Sequence, residues 1–152
     1  MIEGVVVKKL SVISDERGHL MEIMRNDEPF FKEYGQHYLT TCYPNIVKAW
    51  HFHKLQDDNF CVVKGMARVG LYDGRIGSET HGRIMDLIIG ERNPCLVHIP
   101  RGVLHGFKAI GGEVCFLINM VTRPYNREEP DEHRVRWDTK DIPFEWKKEI
   151  DG

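Results

Sequence analysis

Two histidines one residue apart, His51 and His53, stand in "KAWHFHKLQDDNFCVVKG" (residues 48–65), with Asp57 and Asp58 just downstream. Imidazole titrates near neutral pH and ligates transition metals through either ring nitrogen. Such a pair could hold a metal, supply a general base, or be two polar residues on a sheet. A neighbouring carboxylate could complete a ligand set or orient an imidazole. Side chains alternate across a strand, so residues 51 and 53 face one side and a shared site is geometrically allowed. On the inner face of a barrel, two imidazoles need a ligand, a metal or buried partners.

The elements that must position this pair read as strands. "GVVVKKL", "QHYLTTC", "NIVKAWHF", "NFCVVKG", "ARVGLYD", "RIMDLIIG", "PCLVHIP" and "EVCFLINMV" are short and rich in β-branched and aromatic residues. Turn-forming stretches such as "SDERG", "DGRIGS", "GERNP" and "IGG" separate them. The best helical segment, "EPFFKEYG", offers one or two turns, because no window sustains a 3.6-residue apolar period. The expectation is an all-β sandwich or barrel with little helix.

Length and composition narrow the field. The 152 residues suit one domain, expected over 1–146 with 147–152 as a short C-terminal tail. A formal net charge of -2 gives no electrostatic reason to expect nucleic acid or an anionic membrane. No apolar run approaches the roughly 20 residues of a membrane helix, and "MIEGVVVKKL" lacks signal-peptide order. The expected location is the cytoplasm. Cys42, Cys61, Cys95 and Cys115 form no CxxC, and three lie in apolar runs, so buried reduced thiols are expected. Phosphate-binding P-loop, dinucleotide and nucleophile-elbow motifs are absent. The acidic run "REEPDEH" reads as a solvated loop after Tyr125, close enough to join a pocket rim.

The spacing His51-x-His53-x4-Asp58-x6-Gly65, followed by Pro100-x-Gly102-x2-His105, resembles the two signature motifs of the cupin superfamily. That resemblance implies a small β-barrel or jelly roll. It also implies a candidate metal set of His51, His53, Asp58 and His105, with Asp58 where glutamate is usual. Imidazoles and a carboxylate suit a divalent transition metal such as Fe, Mn, Ni, Cu or Zn.

A closer resemblance runs along nearly the whole chain. "DERGHLMEI", Gln36, "VKAWHFH", "LYDGRIGSETHG", "HIPRGVLHGFKAI", "TRPYN" and "RWDTKDIPFEW" are similar to segments of the dTDP-4-dehydrorhamnose 3,5-epimerase family. Those enzymes are homodimers that act on nucleotide-linked 4-keto-6-deoxy sugars and require no cofactor. The resemblance implies that Arg17 and Glu22 bind the nucleotide diphosphate, often from the neighbouring subunit. Gln36, Lys48 and His105 would contact substrate, His51 would be the catalytic base, and Tyr125 would line the sugar site. In that chemistry a C–H beside the ketone gives its proton to a histidine, and an acid returns one to the opposite face.

Three departures bear on mechanism. The family's acid is a tyrosine on the strand here reading "CFLINM", where Ile118 or Asn119 takes its place. Its aspartate that orients the catalytic histidine lies beyond the last tryptophan, whereas this chain ends shortly after Trp146. His53 and Asp58 replace a glutamine and a lysine that elsewhere remove the metal site. Single-site epimerisation or keto-isomerisation therefore fits better than double epimerisation, with Tyr125 or a water returning the proton. Asp58 or Asp57 could instead pair with His51 or His53 as a carboxylate–imidazole dyad. The alternatives are a metal-dependent cupin of another reaction type, such as a dioxygenase or sugar isomerase, and a non-catalytic nucleotide-sugar binding module.

Overall fold

Alternating apolar residues fold the chain into two facing sheets. The computed structural model describes residues 1–147, so the expected tail at 147–152 lies, except for Lys147, outside the described residues. The strands are β1 (Val6–Lys9), β2 (Val12–Asp15), β3 (Gly18–Met21), β4 (Gln36–Cys42), β5 (Val47–Phe52) and β6 (Asp58–Lys64). There follow β7 (Met66–Asp73), β8 (Ile84–Gly90), β9 (Cys95–Ile99), β10 (Val103–Ile110), β11 (Cys115–Val121) and β12 (His133–Arg134). One sheet runs β1-β9-β6-β11-β4 and the other β12-β5-β10-β7-β8, while β2 and β3 form a separate hairpin. The expected all-β jelly roll is what the chain adopts. Among the described residues there is no helix, and the "EPFFKEYG" segment begins with a turn and continues as irregular chain.

Between the sheets lie Phe60, Val62, Val69, Leu71, Val97, Ile99, Phe107 and Leu117. Each such side chain contributes about 1.5–3 kcal/mol when withdrawn from water. The outer face of the first sheet is covered by Met21, Ile23, Met24 and Phe30, packed on Leu10, Cys61 and Leu96. Outside the second sheet, Trp50, Ile142 and Trp146 make a further cluster with Phe144. All four cysteines are buried and free, as expected of small apolar side chains.

Strand β10 was not among the strands expected from the sequence, yet it is central to the second sheet, pairing with both β5 and β7. Gly106 disguises it by interrupting the β-branched run, and the packing requires that glycine. A Cβ there would stand 2.2 Å from the Ala49 Cβ and 2.8 Å from the Lys48 carbonyl oxygen. Gly65 closes the turn from β6 to β7 at φ +72°, a conformation few side chains accept. The Gly102 N–H donates to the His53 carbonyl at 2.7 Å, which ties the second histidine motif to the first.

Candidate active site

The two sheets splay at one end around an open pocket of about 1580 Å³. That is room for a sugar with its nucleotide rather than for a small ketone alone. Gln36, Lys48, His51, His53, Asp58, His105 and Tyr125 all line it. The register of β5 and β10 sets His51 directly opposite His105, with ring centroids 6.4 Å apart. Asp58 comes from the opposing sheet, at the start of β6.

Asp58 is 2% exposed, and its carboxylate gathers three donors. Gln56 Nε2 donates to Oδ1 at 2.9 Å. His105 Nε2 and His53 Nε2 stand 3.1 and 3.3 Å from Oδ2. The other nitrogen of each ring faces a backbone carbonyl: His53 Nδ1 that of Asp131, and His105 Nδ1 that of Val103 at 3.0 Å. Carbonyls only accept, so both Nδ1 atoms carry hydrogen, and both Nε2 atoms then meet an anion. Something positive must lie between them and Asp58. A proton does so where His53 is imidazolium. Burial opposes that charge, but the hydrogen bond and negative charge of Asp58 outweigh it and push His53 up to about 9. Burial likewise opposes ionising Asp58, and the hydrogen bonds from His105 and His53 hold it well below the carboxylate range.

The same donor set tests the cupin metal. One ligand atom each from His53, Asp58 and His105 lie within 4.8 Å of one another, and fixed Nδ1 protons leave both Nε2 atoms as ligands. These three residues fit a divalent transition metal. His51, expected as a fourth ligand, is not part of the converging group.

A different partner defines His51. Glu132, just before β12, sets Oε1 3.2 Å from His51 Nδ1. Burial opposes charge on Glu132, but Arg134 at 2.7 Å and His51 hold it ionised. The carboxylate accepts the Nδ1 proton, so the Nε2 lone pair stays free. Burial, then the charge of His105, push the His51 pKa below 6.5, which keeps the ring neutral at pH 7. This carboxylate was missed in the sequence because "REEPDEH" has the composition of a solvated loop. Instead Asp131 turns inward to accept the N–H groups of Lys54 and Leu55 at 2.8 and 2.7 Å, which folds the loop over the pocket.

The remaining expected residues divide. Lys48 Nζ donates to Thr40 Oγ1 at 3.0 Å and has no carboxylate partner among the described residues, leaving its charge available to a ligand. Gln36 Oε1 accepts the Tyr125 N–H at 2.7 Å, so Gln36 also anchors the loop carrying Tyr125. Tyr125 sits at the pocket rim, 54% exposed. Arg17 and Glu22 do not reach the pocket of their own chain. Arg17 projects from the β2–β3 hairpin, 83% exposed along its side chain, toward Asp15. Glu22 pairs with Arg25 on the surface.

A jelly-roll barrel with two histidine motifs turned into one pocket is a cupin. Sequence comparison gives the class its family: residues 1–151 match dTDP-4-dehydrorhamnose 3,5-epimerase, and the chain belongs to that family of sugar epimerases. It is 42% identical over 150 residues to the spore coat polysaccharide biosynthesis protein SpsL of Bacillus subtilis, covering 99% of each chain. It is 42% identical over 153 residues to the probable low-salt glycan biosynthesis epimerase Agl13 of Haloferax volcanii, covering 99% of this chain and 98% of the other. A dTDP sugar isomerase of known structure from Desulfovibrio desulfuricans G20 superposes with a TM-score of 0.89 at 34% identity, covering 95% and 92% of the two chains.

Proposed function

We propose that the protein inverts or isomerises a nucleotide-diphosphate 4-keto-6-deoxy sugar by removing a proton from a carbon beside the ketone, for polysaccharide assembly. The observation that carries this reading is His51: neutral, oriented by Glu132, and open to the pocket beside Lys48. Its Nε2 takes the carbon-bound proton. The electron pair moves into an enolate, and the Lys48 ammonium supports the oxygen as charge develops. His105, paired with Asp58, fixes the pocket floor beside the sugar, and Gln36 holds the Tyr125 loop at the rim.

Arg17 and Glu22, exposed and outside their own pocket, fit a role only at a neighbouring copy's site. The reading therefore includes a homodimer, which the sedimentation mass of the full chain tests. No described helix is long and apolar enough to cross a membrane, which agrees with a cytoplasmic enzyme using soluble nucleotide sugars. The folding unit in this reading ends with the buried ring of Trp146.

A second reading rests on the converging atoms of His53, Asp58 and His105. These would hold a divalent transition metal, which when bound would polarise the ketone as a Lewis acid.

The deciding experiment incubates the protein with a dTDP-linked 4-keto-6-deoxyhexose in D2O. Solvent deuterium should enter beside the ketone, and His51→Asn should slow that entry by roughly 10²–10⁴-fold. Metal content per subunit accompanies the assay: near-stoichiometric metal lost in His53→Gln favours the second reading. Wild-type protein that binds the sugar without exchanging its protons would leave only the binding-module alternative.

A further inference from the structure

Inversion needs a proton delivered to the face opposite His51, and three phenols line the pocket: Tyr34, Tyr38 and Tyr125. Tyr34 and Tyr125 are 67% and 54% exposed, on the segments before β4 and after β11. Neither hydroxyl has a hydrogen-bond partner among the described residues, so neither is held in place. Tyr38 differs. The residue is 41% exposed, but its hydroxyl oxygen accepts a hydrogen bond from Asn119 Nδ2 at 2.9 Å, and Asn119 is fully buried.

The orientation of that amide is fixed. The Asn59 backbone N–H, which can only donate, gives its hydrogen to Asn119 Oδ1 at 3.0 Å. Nδ2 must therefore point at Tyr38, whose oxygen is the acceptor, so the phenol's own hydrogen is free to point into the pocket. Strand register places the pair: Asn119 on β11 lies directly opposite Tyr38 on β4. Strand β4 is the edge of the sheet facing the one that carries His51, so Tyr38 and His51 look at the pocket from opposite walls. Burial, then the negative charge of Asp58, push the phenol up to about 12, so it stands protonated at neutral pH.

We propose that Tyr38 is the catalytic acid, donating its hydroxyl proton to the enolate carbon on the face opposite His51, with Asn119 as its positioning residue. The assignment rests on the epimerase reading. His51 Nε2 forms its N–H bond as the C–H bond breaks, and the pair passes to the enolate. The enolate's electrons then return to carbon, the Tyr38 O–H bond breaks, and a C–H bond forms on the other face as the ketone is restored. Phenolate and imidazolium remain. The Asn119 N–H stabilises the phenolate until solvent carries the proton from imidazolium back to it, and no oxidant or reductant is consumed.

The test follows a dTDP-linked 4-keto-6-deoxyhexose in D2O by NMR, which separates deuterium entry with retained configuration from formation of the epimer. In Tyr38→Phe, inversion should fall by roughly 10²–10⁴-fold. Deuterium entry should continue, because His51 still removes the proton and returns a deuteron to the same face. Tyr125→Phe, which removes the competing phenol at the rim, should lower inversion less than Tyr38→Phe does. Wild-type inversion in Tyr38→Phe, loss of exchange and inversion together at an unchanged melting temperature, or loss of inversion in Tyr125→Phe alone would each overturn the assignment. Fluorotyrosine at position 38 repeats the test with the hydroxyl kept: the alkaline limb of inversion should move to lower pH, and an unmoved limb rejects Tyr38. Wild-type protein that neither exchanges nor inverts would remove the epimerase reading itself, and this assignment with it.

Discussion

Two buried aspartates, Asp58 and Asp73, are held in place by partners of different kinds. Both carboxylates are shielded from water, and both are held below the ordinary carboxylate range. Asp73 is neutralised locally. Arg75 grips it through Nε and Nη2 at 2.8 Å each, while Ser78 Oγ and Thr80 Oγ1 donate at 2.7 and 2.6 Å. Asp58 is neutralised by imidazoles from the facing sheet. Burial and a depressed pKa therefore do not by themselves mark a site. The difference lies in the partner. A guanidinium never gives up its proton, so the Asp73 turn is a lock, whereas imidazoles exchange protons or bind metal.

The largest effect expected from this contrast is on stability. Asp73→Asn leaves the partly exposed Arg75 guanidinium without its buried carboxylate and takes the anionic acceptor from Ser78 and Thr80, and should cost about 3 kcal/mol. Deuterium exchange per folded molecule should stay close to wild type, because Asp73 does not line the pocket. Urea unfolding alongside the exchange assay checks both halves. Loss of activity at unchanged stability would reverse the roles given to the two aspartates.

Much of this contrast was legible in the sequence, in uneven parts. The period of two in "QHYLTTC" and "NIVKAWHF" is the pleat itself, so β4, β5 and the shared face of His51 and His53 could be read directly. The same period puts Gln36, Tyr38 and Thr40 on one face, so Tyr38 could be placed beside Gln36 from the sequence. Strand β10 was hidden because close packing against Ala49 demands glycine where a strand pattern wants a side chain. Glu132 was hidden for a different reason. Whether an acidic loop faces solvent or folds over a histidine depends on contacts across the barrel, such as Asp131 capping the amides after β5. Those contacts leave no local pattern.

The next effect is smaller and depends on pH. Removing the Asp58 charge should cost less than removing that of Asp73, because His53 can shed its proton where Arg75 cannot. Asp58→Asn should therefore lose about 1–3 kcal/mol near neutral pH. The sign of the pH dependence follows from the raised pKa of His53. A raised pKa stabilises the fold fully below the unfolded value of 6.5, and that contribution is lost as pH rises toward about 9. Wild-type melting temperature should fall across this window, and in Asp58→Asn the slope should flatten. An equal slope in both proteins would mean that the pair does not carry this charge.

The smallest effect sharpens the comparison from the side of the lock. Ser78→Ala removes one of the donors to Asp73 Oδ2 and leaves Arg75 and Thr80 in place. The Ser78 oxygen also accepts the Thr80 N–H at 3.2 Å, so the turn loses a donor and an acceptor together. The carboxylate keeps its charge partner and remains solvated by the other groups, so the loss should be about 1 kcal/mol, with no pH dependence between 6.5 and 9. Thermal unfolding across that range checks both statements. A Ser78→Ala cost as large as that of Asp73→Asn would mean that the hydroxyls, rather than the guanidinium, hold the buried charge. Asp73 would then not be held by a permanent cation, and the distinction between lock and site would have to rest on position alone.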